Sequence, residues 1–586
     1  MRHLPKIGSL ASPLFVLLAI GCQASVEGDN PSGSGAAASG GSASGGSAGG
    51  SVGATGGAQS MAGTSALPPG SEAAALLPAR IRRLTVAEYQ ATVSAADVIG
   101  ADAQGITADF VPDSRQSGFT VNEAQRVDPV FAGQLSQAAT AMAASLRQHI
   151  AERASCTSGL TDQCADAFIR SFGERAYRRP LGGDEVAQLM TVFHTAVDGG
   201  SYDEGIELVV RAMLQSAGFL YLTEIGDAPG ATVKLTPYEL AASISYLVRG
   251  GPPSAALLDA AKAGTLDTAE GRAGLVADAK IGLFAGAEAS ARVSRVVREW
   301  LGTDRVSEIA KDTTVYPDFA GVKADIAAET TEFLNTLVRQ DGQGSLRELL
   351  GANWTMASSR LANLYGVTGP KDDAFQQVST PNRLGILNQG AFLSVFAHAH
   401  ETAPVLRGVA VMRRIACMYV GDPVNLTVVP PVPDPTLTTR QRFANHAVGT
   451  CTGCHDSIDN FGFAFEQFDG MGKFRTIDGT PTADNDHVVD SSVVVAGTDF
   501  DGSYPDSNAL ATALSTSPQV RECFARHVFR ALGATSDPAL SPSENDFVKY
   551  WNTTLPKAND KVTDAYIIGT ISAFLSNPSF NHRRAQ

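Results

Sequence analysis

Charge is scarce in this 586-residue chain: 18% of residues are charged, and 60 acidic side chains outnumber 45 basic ones for a formal charge of -15. The basic face that nucleic acid requires is missing, so nucleic acid is excluded as a main partner. Neither a phosphate-binding glycine loop nor a metalloprotease motif occurs. Cysteine and histidine are also few, seven and ten, so the position of each is informative. Hydrophobic residues, at 44%, are ample for a buried core, and the length allows three to four domains.

The negative charge is unevenly spread. Residues 31–70 hold 13 of the 58 glycines and no charged residue, so the acidity belongs to the rest of the chain. Arg2 and Lys6 precede the apolar stretch Leu10 to Ile20, which is too short to span a bilayer and has the flanks of a signal peptide. The segment ends Leu18-Ala19-Ile20-Gly21-Cys22 and resembles a bacterial lipoprotein signal, which implies lipidation at Cys22. Ala19 departs from the larger aliphatic residue usual there, and an ordinary secretory signal is the alternative. Gln23 in place of aspartate favours the outer membrane. The expectation is an exported lipoprotein facing the periplasm or the cell surface. From Ala24 to about Pro78 the chain is mostly Gly, Ser and Ala, which suits a flexible tether with a reach of ~40 Å. Two G-x-S-x-G matches here, Gly45 to Gly49 and Gly49 to Gly53, lack the strand and helix that a nucleophile elbow needs.

The body reads as mainly α. Thr85-Val86-Ala87-Glu88 and Thr236-Pro237-Tyr238-Glu239 are capping boxes opening helices. Apolar periodicity predicts further helices at 130–153, 163–175, 186–197, 204–216, 284–301, 320–339, 405–417, 508–515, 518–532 and 562–576. Strand-like alternation is confined mainly to 486–500. The expected organisation is a signal at 1–22, a tether at 23–78 and helical domains at 79–150, 151–225 and 230–365. A cytochrome c-like haem segment at 375–485 and a domain of β-strands plus helices at 486–577 complete it.

Cys451-Thr452-Gly453-Cys454-His455 is the sharpest motif in the sequence. Two cysteines at this spacing reach the two vinyl groups of one haem, and the next histidine falls beneath the iron. The expectation is one covalent haem c held by Cys451 and Cys454, with His455 as axial ligand. A zinc site would need two more ligands nearby, and a thioredoxin-like motif would need a βαβ setting that is not evident. With Cys22 and the haem pair set aside, Cys156 with Cys164 and Cys417 with Cys523 remain as disulfide pairs suited to an oxidising compartment; two buried thiols are the alternative for the second. Met471 and His398 are the leading choices for a sixth iron ligand, with His446 or an open iron as alternatives. Asp459 and Arg475 read as a pair bracing the haem loop. Arg407, Arg413 and Arg414 read as an amphipathic surface or, alternatively, as partners of haem propionates. The acidic stretch 484–501 lacks the spacing of a calcium loop.

The motifs Arg82-Arg83-Leu84-Thr85-Val86-Ala87-Glu88-Tyr89, Arg175-Ala176-Tyr177-Arg178-Arg179-Pro180-Leu181, Leu235-Thr236-Pro237-Tyr238-Glu239-Leu240, Ala403-Pro404-Val405-Leu406-Arg407-Gly408 and Ile458-Asp459-Asn460-Phe461-Gly462-Phe463 together resemble a known set. They are similar to planctomycete-type multi-domain exported proteins of unknown function with a cytochrome c-like segment. The resemblance runs from Arg80 to about Asn577 and implies a row of domains without an established reaction. The reading is thus a membrane-tethered single-haem protein transferring electrons to or from an unidentified partner or substrate. A peroxidase- or oxygenase-like enzyme with an open iron is one alternative, and a cell-surface binding protein with a structural haem or metal site is another.

Overall fold

A computed structural model describes residues 77–585 except 96–97, 101–102, 148–160, 229, 421–433, 435, 447–451, 480, 482–485, 534–540 and 559–560. The signal, most of the tether, Cys22, Cys156 and Cys451 therefore lie outside the described residues. Those described belong to the compact unit Ser65–Gln586, which is mainly helical with small sheets.

Local sequence chemistry sets the helix starts. Thr85 accepts from the Glu88 N–H at 3.2 Å while the Glu88 carboxylate accepts from the Thr85 N–H at 2.9 Å, opening the helix Val86–Ser94. Thr236 and Glu239 repeat this reciprocal bonding before Pro237–Val248. The predicted helices at 163–175, 186–197, 204–216 and 518–532 correspond to Asp162–Ala176, Gly183–Val197, Tyr202–Leu214 and Pro518–Gly533. At 562–576 the helix begins only at Ile567, because Lys561–Val562 pairs antiparallel with Lys557–Ala558. The Val-rich stretch contributes a short hairpin, Val493–Val495 against Gly502–Tyr504.

The ends of the described chain meet. Leu77–Pro78, expected in the tether, pairs parallel with His582–Arg584, which also pairs antiparallel with Thr232–Lys234. Residues beyond Asn577 are thus part of the fold. Beneath this sheet Glu224 accepts from Arg80 Nε at 2.8 Å, Arg583 Nε at 2.9 Å and Ser243 Oγ at 2.7 Å. Burial alone would raise the Glu224 carboxyl, but Arg583 and Arg80 overcome it and hold it well below its ordinary value. Arg82 forks onto Glu88 at 2.7 and 2.9 Å, so the Arg-rich motif at 80–83 is structural.

Apolar packing divides into clusters. One, from Tyr89 to Leu220, holds the first helices. A larger one joins the helices around Leu240, Trp300 and Phe333 to those around Val411, Phe461 and Phe529. A third gathers Val306, Tyr316, Ile326, Leu361, Tyr365 and Met471. Cys417 and Cys523 form a disulfide across 106 residues, fastening the end of the Arg407 helix, Pro404–Arg414, to Pro518–Gly533. Cys164 is also disulfide-bonded; its expected partner, Cys156, is outside the described residues. Among the described residues no helix is long and apolar enough to cross a membrane.

Candidate redox site on the His455 helix

The Cys454-His455 segment lies in the first turn of the helix Thr452–Phe463. This helix packs on the Arg407 helix at glycine contacts on both sides. A Cβ at Gly408 would lie 2.0 Å from the Ile458 carbonyl oxygen, and one at Gly462 would lie 2.0 Å from that of Pro404. Only glycine lets the backbones come so close. This gives Arg407-Gly408 and Phe461-Gly462 a geometric reason for their residue types.

Arg407 anchors the chain that leaves the His455 helix. Its side chain is fully buried, and its Nη atoms donate to the carbonyls of Phe465, Phe468, Leu393 and Asp469 at 3.0, 3.0, 3.1 and 2.8 Å. Glu466 lies 3.4 Å away and also accepts from Thr402 Oγ1 at 2.8 Å and Arg475 Nη2 at 2.7 Å. Burial raises the Glu466 carboxyl, even though Arg475 and Arg407 draw it down. Arg475 continues to Asp478 at 2.6 Å, and the Asp478 carbonyl meets His487 Nδ1 at 2.8 Å. Lys311, buried nearby, donates to the carbonyls of Ser394, Ala397 and His398 at 2.9, 3.1 and 2.8 Å. Burial, with Arg407 adding repulsion, lowers its ammonium to about 8.

Two readings of these residues need correction. Asp459 does not brace Arg475: its carboxylate lies 2.9 Å from His455 Nδ1, one helical turn away, while Arg475 serves Glu466 and Asp478. Helical i,i+4 geometry favours the former pairing. Arg407 belongs neither to an amphipathic surface nor to a propionate partner, because it is fully buried and backbone carbonyls and Glu466 take up its Nη donors. Arg414 likewise donates to the carbonyls of Glu299 and Trp300.

Cys454 is an exposed free thiol. The His455 and Asp459 side chains retain 14% and 11% exposure. Nδ1 faces the Asp459 carboxylate, which leaves Nε2 as the nitrogen that could take a metal. A carboxylate on the rear nitrogen is the usual way a protein orients a metal-binding imidazole. With a thiol one position earlier on the same turn, these donors fit covalent haem c.

Met471 and His398 are the described candidates for a sixth ligand. Met471 is 5% exposed, packed with Tyr316 and Leu361 rather than in the cluster containing Ile458 and Phe461. His398 is exposed, and its backbone carbonyl holds Lys311. The His446 side chain is outside the described residues. His527 is buried, and burial, aided by Arg530 and Arg414, lowers it to about 3. Among the described residues, the acidic stretch forms no carboxylate cluster suited to a metal; Cys417, Cys523 and His527 do form a compact donor group, with both sulfurs spent in the disulfide. In that stretch Asp490, Asp499 and Asp501 accept from local hydroxyl and backbone groups.

The mainly helical body and the family models that match it define the class: a multi-domain protein of unknown function. Four family models match consecutive segments. They are PSD3, protein of unknown function (DUF1587), at residues 82–148; PSD5, protein of unknown function (DUF1595), at 164–224; PSD4, protein of unknown function (DUF1592), at 235–367; and PSCyt3, protein of unknown function (DUF1588), at 383–478. The last spans the Arg407 and His455 helices. No curated protein and no solved structure matches the chain.

Proposed function

We propose that this chain is an exported, lipid-tethered redox protein carrying one covalent haem c at Cys451 and Cys454, and that it transfers electrons to or from a partner yet to be identified. The contact between His455 Nδ1 and Asp459 at 2.9 Å carries the reading. It supplies the oriented imidazole that an axial ligand needs, from residues that sequence spacing alone assigned to different roles. The haem would supply one-electron chemistry; the chain supplies its fixation, through thioethers and a ligand held on one turn of helix. Asp459 makes the imidazole a stronger donor, which favours ferric iron and a low potential. The PSCyt3 name of the matched segment is in keeping with a cytochrome-like role.

A second reading, peroxidase- or oxygenase-like chemistry at an open iron, draws on the burial of Met471 in a separate apolar cluster. One experiment tests both. The full chain is produced in a host with intact haem maturation and its absorption spectrum recorded. A covalent low-spin haem, unchanged by carbon monoxide and lost in His455→Ala, supports electron transfer; a ferrous spectrum shifted by carbon monoxide supports the open iron. A purified chain without haem from such a host overturns both.

A further inference from the structure

Among the described residues, a cavity of this acidic chain has walls that hold cations and no acid. It measures about 360 Å³ and lies between the helix Ser359–Tyr365 and the turn around Lys473. Three other sizeable cavities carry acidic side chains in their walls: Asp499 and Glu522, Glu239, and Glu270. Here the polar lining is Asn363, Asn382, Arg383 and Lys473, with Thr380 spent on the Arg383 carbonyl at 3.0 Å.

Arg383 is 5% exposed and forms the floor. Its guanidinium carbon lies 3.7 Å from the Tyr365 ring centre and 4.5 Å from that of Phe468. One edge donates to the Gly472 carbonyl at 2.6 Å and the other to that of Asn388. These contacts satisfy donors but cancel no charge. Arg80, Arg82 and Arg407, equally buried, each have a carboxylate within 3.4 Å, whereas Arg178 and Arg272 are held, like Arg383, by backbone carbonyls. No described carboxylate pairs with Arg383 or with Lys473. The nearby acids make their hydrogen bonds to other groups: Glu329 accepts from Tyr365 and Thr355 at 2.6 and 2.7 Å, and Asp469 from the Met471 and Lys473 N–H groups at 2.9 and 2.8 Å. Asn363, Asn382 and Lys473 stand exposed at the mouth. Glu329 and Asp469 act on Arg383 from a distance, and a buried cation with no carboxylate in direct contact favours a counter-charge in an adjoining space.

Leu364, Val367, Pro381 and Phe474 make the remaining wall apolar. We propose that this cavity binds a small organic carboxylate, its charged end toward Arg383 and Lys473 and an aromatic or branched body against the apolar wall. Apolar walls with a few convergent polar groups are the usual make-up of a small-molecule site. Inorganic phosphate satisfies the charge and leaves the apolar wall unused. The site is separate from the His455 helix and stands whether or not haem is attached.

Isothermal titration of the full chain with sodium benzoate at low ionic strength tests this, with benzamide and inorganic phosphate in parallel. The expected result is saturable one-to-one benzoate binding, with benzamide and phosphate each at least ~10-fold weaker. Lys473→Met, an exposed substitution, should weaken benzoate about two- to fivefold without altering the unfolding temperature. Asn382→Ala should weaken it as well, giving a second variant that leaves the buried floor intact. Four outcomes overturn the proposal: no saturable benzoate binding up to about 10 mM, equal binding of benzamide, phosphate binding as tight as benzoate, or Lys473→Met binding benzoate like the parent.

Discussion

Glu329 offers a sharp test of how this core is put together. Its carboxyl is fully buried, accepting from Tyr365 and Thr355. Burial raises it from 4.5 to about 7 against the pull of these hydrogen bonds. Between these values the folded chain keeps a proton that the unfolded chain has released. Stability therefore falls as pH rises from about 4.5 and levels off once pH passes the folded value. A displacement of that size corresponds to about 3 kcal/mol. Glu329→Gln removes the titration and keeps an amide oxygen for one donor, at a cost of about 1 kcal/mol for imperfect bonding to the other. Denaturant unfolding of both proteins from pH 5 to pH 9 should give curves that cross: the parent more stable at pH 5, the variant more stable at pH 9. Lys311 and His527 titrate in both proteins, so the difference isolates Glu329. Parallel losses of stability in the two proteins would refute the assignment of a buried, protonated carboxyl.

Gly408→Ala puts a methyl 2.0 Å from the Ile458 carbonyl oxygen, so the two helices must part. Thermal unfolding should show a loss of about 2 kcal/mol despite the better helix propensity of alanine, and an unchanged transition would mean that the contact is slack. Arg407→Met leaves four carbonyls and Glu466 without their cation; a loss of about 3–5 kcal/mol is expected, and proteolysis within 465–478 should speed up, whereas parent-like resistance would sink the anchoring role. Removing the Cys417–Cys523 disulfide by double alanine substitution frees a loop of 106 residues and should cost about 4–5 kcal/mol by loop entropy. A loss below about 1 kcal/mol would show that the unfolded chain is already restrained. Asp459→Asn in the haem-loaded chain should raise the midpoint potential; an unaltered potential would remove Asp459 from the proposed ligand set.

Sequence patterning made the helices legible where the signal was local. Thr85 with Glu88 and Thr236 with Glu239 act within four residues, and apolar periodicity carried the long helices. The misjudged features depend on partners far apart in the chain. Leu77–Pro78 joins the fold only through His582–Arg584, roughly 500 residues later, which no local composition can reveal. Arg407 reads as amphipathic because its ligands are backbone carbonyls at 393 and 465–469, and carbonyls leave no trace in side-chain identity. For Asp459 the missed clue was present: His455 and Asp459 stand four apart in a segment that folds as a helix. No such clue existed for Arg383, whose setting draws on residues 329, 365 and 468.

The motifs and the chemistry separate on electrostatic grounds. A chain of charge -15 that buries arginine needs partners for the guanidinium groups, and the Arg-rich motifs find most of theirs within the body. Arg82 forks onto Glu88, Arg80 and Arg583 share Glu224, and Arg178 donates to the carbonyls of Gly218, Phe219 and Tyr221. Because a removed partner leaves a buried charge or several bare carbonyls, these residues resist substitution whether or not anything binds there. Motif strength at 80–89 and 175–181 thus speaks for packing. The Cys454-His455 turn differs, since an exposed thiol beside an imidazole braced by a carboxylate satisfies no packing need. Arg383 is held by carbonyls as Arg178 is, and differs in bordering a cavity without an acid in its walls. Function is therefore to be sought where polar groups face solvent or an open space, at Cys454-His455 and in the Arg383 cavity, rather than where the motifs are densest.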